Sequence, residues 1–244
     1  MIKFDSISKV FITSDEHYGS QRTLELSRRP FKTTEEMDEH MIKCFNSKVP
    51  EDGITIHNGD FGNMDILKKL NGRHILIWGN YEFQDFIKDY RDPETDEPMS
   101  EILVSIMKNQ YKWGDMTRAK NPIDKNSKYD KFLKTAQSKQ KIFNTLLRHK
   151  YGWTEVYGIY PSPCQLVKFN DSDVEYNVTH RPLDCDIEKS NKNLYGHIHG
   201  RQLVKRYGID VGVDGHHFYP LSMAEDIPFF MTAIEKFYDN NVFE

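Results

Sequence analysis

The chain reads as an α/β protein, and three features predict it. Short β-type runs recur near the start: KVFIT (Lys9 to Thr13), GITIH (Gly53 to His57) and HILIW (His74 to Trp78). Each is rich in β-branched or large apolar residues and ends in small or polar ones, as buried strands feeding functional loops do. Helical patterns separate the runs, and strand-helix alternation predicts a parallel sheet with right-handed crossovers.

Between the first two runs lies TTEEMDEHMIKCFNSKV. Thr33 with Glu36 forms a capping box, and Met37, Met41, Ile42 and Phe45 share one face, so this segment is a helix. NMDILKKLN, closed by Asn71-Gly72, is a shorter one. From about Phe83 to Tyr151 the chain turns polar, breaks at RDPETDEP, and offers helical segments at SEILVSIMKNQY and YDKFLKTAQSKQKIFNTLLRHK. In the second, Phe132, Ala136, Phe143 and Leu147 recur at helix spacing among Lys131, Lys134, Lys139, Lys141, Arg148 and Lys150. Such a basic surround is either a solvated face or a cap that draws in an anionic substrate. The β-type runs QLVKF, EYNVTH, NLYGHIH and RYGIDVGVD follow, with no internal repeat. A single domain over 1–244 with a helical insertion at about 83–155 is expected.

The 244 residues suffice for a proper core, and a formal charge of -4 leaves no global footprint for nucleic acid. Cys44, Cys164 and Cys185 are too scattered for a disulfide framework, which points to a reducing compartment. No segment reaches a membrane-spanning length, so a soluble cytoplasmic protein is expected.

The chemistry-bearing residues fall at strand ends. The first strand delivers Asp15, Glu16 and His17; the second Asn58, Gly59 and Asp60; the third Gly79 and Asn80. Later ones deliver His180, then His197 and His199. The carboxyl ends of adjacent parallel strands line one crevice, so these groups can converge. Two Asp carboxylates, one Asn carbonyl and four imidazoles suit Mn, Fe, Zn or related divalent ions better than calcium. Seven side chains are too many for one ion and suit two, about 3.5–4 Å apart, sharing a carboxylate. Asp60, on the middle strand, is the natural bridge. His40 reads as surface, and His57 and His74 as structural strand histidines. His216 and His217 read as turn or site-edge residues.

The ordered series Asp15/His17, Gly59/Asp60, Gly79/Asn80, His180 and His197/His199 resembles the calcineurin-like metallophosphoesterase superfamily, in particular a compact bacterial and phage branch. TSDEHYGSQRTLELSRRPF, EEMDEHMI, HNGDFG, LNGRHILIWGN, YGHIHG and VGVDGHHFYPLS carry the likeness over roughly residues 8 to 82 and 160 to 226. The resemblance implies a β-sandwich of two mixed sheets flanked by helices. It implies that one metal takes Asp15, His17, Asp60 and His199, and the other Asp60, Asn80, His180 and His197. Mn is the expected ion, with Mg, Fe, Zn, Ni or Co as substitutes. It also implies hydrolysis of a small phosphomonoester by a metal-bridging hydroxide. A (deoxy)nucleoside 5'-monophosphate is the specific expectation, with no obligatory nucleic acid partner; Tyr111, Trp113 and Trp153 are candidates to stack on a base. A phosphodiesterase or nuclease, and a catalytically idle binding protein, are the competing readings.

One half of one motif departs from the family. After Gly79-Asn80, where a His that protonates the leaving group is usual, stand Tyr81 and Glu82. Tyr81 could assist the leaving oxygen; a histidine of the GHH segment or His149 could substitute; or activity could be confined to good leaving groups. Arg22, Arg29, Arg181 and His217 are the candidates for holding phosphate, a guanidinium being able to clamp its oxygens bidentately.

Overall fold

A computed structural model describes residues 1–82, 128–158, 164–185 and 192–237. The segment SEILVSIMKNQY, with Tyr111 and Trp113, lies outside the described residues, as do the side chains of Phe132 and Ala136. Two mixed sheets stack, flanked by helices. In one, β2 (Val10–Thr13), β3 (Ile54–His57), β4 (Arg73–Ile77) and β5 (Glu155–Tyr157) run parallel, and β11 (Leu221–Ser222) joins β2 antiparallel. The other orders β1 (Ile2–Phe4), β6 (Gln165–Phe169), β7 (Ser172–Val178), β8 (Asn193–Tyr195), β10 (Gly208–Asp210) and β9 (Val204–Lys205).

Period-two alternation builds the sandwich. Val10, Ile12, Ile56, Ile75 and Ile77 face the second sheet and meet Val167, Val178, Leu194 and Ile209 in the core between the sheets. Their neighbours Phe11, Leu76 and Trp78 face outward into a second core beneath the helices. There α2 (Thr34–Lys48) buries Met37, Met41 and Phe45. Half of the expected capping box forms: the Glu36 N–H donates to Thr33 Oγ1 at 3.2 Å, but Glu36 Oε2 accepts from the Lys32 N–H at 2.9 Å, one residue before the cap. Met64–Lys69, capped by Asn63, is a 3-10 helix.

The expected insertion differs in one respect. Helix α3 (Lys128–Tyr151) connects to β5, which pairs directly with β4. Phe143 and Leu147 are fully buried under Trp78, and Asn144 Nδ2 donates to Val156 O at 2.9 Å. Its second half is therefore part of the core, with Lys141, Arg148 and Lys150 left on the exposed side. Trp153, a candidate for base stacking, is 2% exposed and packs edge-on against His57 and Phe61. It is a core residue. The last helix, α4 (Asp226–Phe237), sends Ile227 and Ile234 into the core between the sheets. No helix among the described residues is long and apolar enough to cross a membrane.

Candidate metal centre

The carboxyl ends of β2, β3 and β4 bring their loops side by side. The Asp15 N–H donates to Gly59 O at 3.0 Å and the His17 N–H to Asp60 O at 2.9 Å, so the first two motifs are zipped together beyond the strands. Close approach demands glycine at Gly59, where φ is +90° and a Cβ would lie 2.5 Å from Gly79 N and 2.7 Å from His180 Nδ1. At Gly196 a Cβ would collide with Ser14 Oγ and the Asp15 carboxylate.

The predicted ligands converge in two triads. Asp15, His17 and His199 offer one ligand atom each within 4.8 Å of one another, and so do Asp60, His180 and His197. Asn80 joins the second, its Oδ1 lying 3.1 Å from His180 Nε2. Asp60 Oδ2 sits between the two, 3.3 Å from His180 Nε2 and 3.6 Å from His17 Nε2. The backbone is held in a costly shape to achieve this. Asp15, His17, Asp60, His197 and His199 have φ of 58°, 51°, 61°, 71° and 49°. Left-handed non-glycine residues cost about 1–2 kcal/mol each and concentrate at functional sites.

A divalent cation fits this donor set. Both ring nitrogens of His17 and Asp15 Oδ1 are buried without a hydrogen-bond partner, and buried polar atoms are otherwise seldom left so. Two of the other three histidines are aimed by a second layer of contacts. His180 donates from Nδ1 to Asn58 O at 2.8 Å, and His199 from Nδ1 to Asp214 Oδ2 at 2.7 Å, which turns each Nε2 toward its triad. Asp60 is fixed by the Tyr81 N–H, which donates to Oδ1 at 2.7 Å. Burial alone would lift the Asp60 carboxyl, but His180 and His17 hold it well below the usual carboxylate range. Burial pushes the His17 imidazole down to about 3, so it is a neutral nitrogen donor.

The departure after Asn80 acquires a clear geometry. Glu82 is 2% exposed and accepts from the Phe61 N–H at 2.9 Å and the Gly79 N–H at 2.6 Å. It clamps the Asp60 and Asn80 loops together. The Tyr81 ring is half-buried and stands edge-on to His17, centroids 4.9 Å apart.

The four phosphate candidates separate. Arg22 is exposed, with its guanidinium 5.9 Å from the Tyr81 ring centre, at the mouth of the site. Arg29 is corrected: its side chain is wholly buried and its donors are consumed inside the protein, by Asp214, Asp15 O and Glu16 O, so it cannot clamp substrate. Arg181 forms a bidentate pair with Asp184 at 2.8 and 3.0 Å. His217 is exposed on a left-handed turn, while His216 is buried and donates from Nε2 to Asp210 O at 2.6 Å.

Sequence reasoning missed Asp214, the part played by the Asn58 carbonyl in aiming His180, and the clamp role of Glu82. It also missed a buried chain behind the site, in which His57 Nδ1 lies 2.5 Å from Glu16 Oε1 and His57 Nε2 lies 3.1 Å from His74 Nδ1. Burial lifts the Glu16 carboxyl to about 8, so a protonated Glu16 donating to a neutral His57 satisfies the short contact.

No protein-family model matches the chain. An 85-residue stretch is 29% identical to an uncharacterized protein of Methanocaldococcus jannaschii, covering 32% of this chain and 48% of that relative, about half its length. A solved structure of a protein of unknown function from Aquifex aeolicus aligns over 88% of this chain and 96% of its own, at 15% identity and a TM-score of 0.48.

Proposed function

We propose that this chain is a phosphoesterase of the calcineurin-like metallophosphoesterase type, dependent on two divalent ions, and that it hydrolyses a small phosphomonoester. One observation carries the reading: Asp60 Oδ2 lies near the histidines of both triads, which is where a carboxylate shared between two ions would be placed. Asp15, His17, Asp60 and His199 would hold one ion and Asp60, Asn80, His180 and His197 the other. Mixed oxygen and imidazole ligation suits manganese or a related transition metal. When bound, such ions supply Lewis acidity toward water and toward the developing phosphoryl charge.

The rest falls to side chains. Tyr81 fixes Asp60 through its backbone and presents its phenol beside His17, where it can hydrogen-bond the leaving oxygen. A positioned general acid contributes about 10²–10⁴-fold, so replacing the usual histidine narrows the range of leaving groups without ending catalysis. Arg22, poised over Tyr81, supplies the guanidinium for phosphate oxygens. A cavity of about 390 Å³ lies between the loops following His17 and Asp60, lined by Ser20, Asn63 and Tyr151 among others. None of the candidate ligands lines it, nor does Tyr81 or Arg22, so the choice of a small substrate such as a (deoxy)nucleoside 5'-monophosphate rests on the resemblance of the motifs.

The test is a panel of phosphomonoesters and phosphodiesters offered to metal-depleted protein reloaded with Mn, Mg, Zn or Ni. Hydrolysis of monoesters, abolished by Asp60→Asn, is expected. Turnover of diesters alone would transfer the site to a nuclease or phosphodiesterase. Tight ion binding with no turnover of either class would refute the enzymatic reading.

A further inference from the structure

We propose that Arg29 and Asp214 form a positioning pair serving only one ion of the two, that of Asp15, His17 and His199. The inference rests on the two-ion reading above. Its starting point is local backbone. Helix α1 (Gln21–Leu26) ends with the Arg28 N–H donating to Glu25 O at 3.2 Å and the Arg29 N–H to Leu24 O at 3.1 Å. This is the Schellman pattern, whose left-handed position glycine usually fills. Here Arg28 fills it at φ 51°, which turns the chain so that Arg29 enters the interior.

Inside, one guanidinium ties three segments. Nη2 donates to Asp15 O and Nη1 to Glu16 O, both at 2.6 Å, so the backbone on which Asp15 and His17 ride is fixed. Nε and Nη2 donate to the two oxygens of Asp214 at 2.8 and 3.0 Å. Asp214 Oδ2 in turn accepts from His199 Nδ1, leaving His199 Nε2 directed at Asp15 Oδ1, 3.9 Å away. The Met37 and Met41 sulfurs lie beside Nη1 at 3.5 and 3.7 Å. A planar fork is required, since a lysine could not donate to two carbonyls and both carboxylate oxygens at once. Asp214 neutralises the guanidinium, so its charge does not oppose a cation nearby. His180 and Asp60 depend on other supports, Asn58 O for the one and the Tyr81 N–H with the Glu82 clamp for the other, while the His197 N–H donates to Asp15 Oδ2 at 2.7 Å.

The pair is tested with Asp214→Asn, which preserves shape, and Arg29→Lys. Ion content after dialysis, competition titration and the electron paramagnetic resonance of manganese-loaded protein are compared with wild type. Expected are two ions in wild type, one of them bound about 10–100-fold more weakly in both variants. The exchange-coupled manganese signal should give way to that of an isolated ion. A purely structural pair would lower the melting temperature without separating the ions. Two ions bound as tightly as in wild type, or parallel loss of both, overturns the inference alone. If Arg29→Lys does not fold, Asp214→Asn decides; if neither folds, the pair is a folding element and the inference fails. Wild-type protein holding fewer than two ions overturns the two-ion reading, and this inference with it.

Discussion

Gly59 offers a perturbation whose cost can be worked out against an internal control. Gly59 and Gly152 share a φ of +90°, but a Cβ on Gly152 meets nothing within 4 Å. Gly152→Ala therefore measures backbone strain alone, about 1–2 kcal/mol. At Gly59 the added carbon lies 2.5 Å from Gly79 N and 2.7 Å from His180 Nδ1. Relieving overlaps of this size adds about 1–3 kcal/mol, for a total of roughly 2–5 kcal/mol. For a chain of this length 1 kcal/mol moves the melting temperature by about 2–4 °C. Gly152→Ala should thus fall by roughly 2–8 °C, and Gly59→Ala by roughly 4–20 °C. The displaced atoms also aim a ligand, so Gly59→Ala alone should lose ion affinity. Thermal unfolding of metal-depleted protein, followed by ion counting, reads both effects. Equal destabilisation of the two variants with undiminished ion binding would show that close packing of the loops does not organise the site.

Tyr81→Phe should slow turnover of alkyl phosphates by about 10²-fold and of activated aryl phosphates far less; equal effects remove the phenol from the chemistry. Arg22→Ala should raise KM roughly 10-fold or more, the cost of a lost charge-assisted hydrogen bond, with a smaller change in kcat; an unaltered KM places the guanidinium off the phosphate. Burial, with His57 beside it, depresses His74 to about 3, whereas an unfolded histidine titrates near 6.5. Its neutral form thus contributes stability that is present above pH 6.5 and lost as pH falls from there toward 3. His74→Gln should flatten stability against pH in that window by about 1.4 kcal/mol per pH unit, and parallel wild-type and variant profiles would contradict this.

The candidate ligands were legible because each stands at the end of a strand whose apolar pattern is strong, next to a small residue that lets loops approach. Strands β2, β3, β4 and β6 were legible for the same reason. The pairs β1 with β6 and β4 with β5 were not, since a run of three residues carries too little pattern and is fixed by its partner's register. Arg29 was misread because a surface helix end and an inward Schellman turn look alike in SRRPF, and its partner Asp214 lies 185 residues away. Glu82 was noticed as a departure, but the Phe61 N–H from which it accepts comes within reach only once the loops of β3 and β4 lie side by side.

The two triads also straddle the sandwich. Asp15 and His17 follow β2 in one sheet while His199 follows β8 in the other; Asp60 follows β3, and His180 and His197 follow β7 and β8. Each ion would be a rivet through both layers at one end of the molecule. Loading should then slow amide exchange in loops of both sheets together, and chelation should open that end while the opposite end stays shut. Bound ions would thus double as fasteners of the fold, and metal-depleted protein would be the looser form.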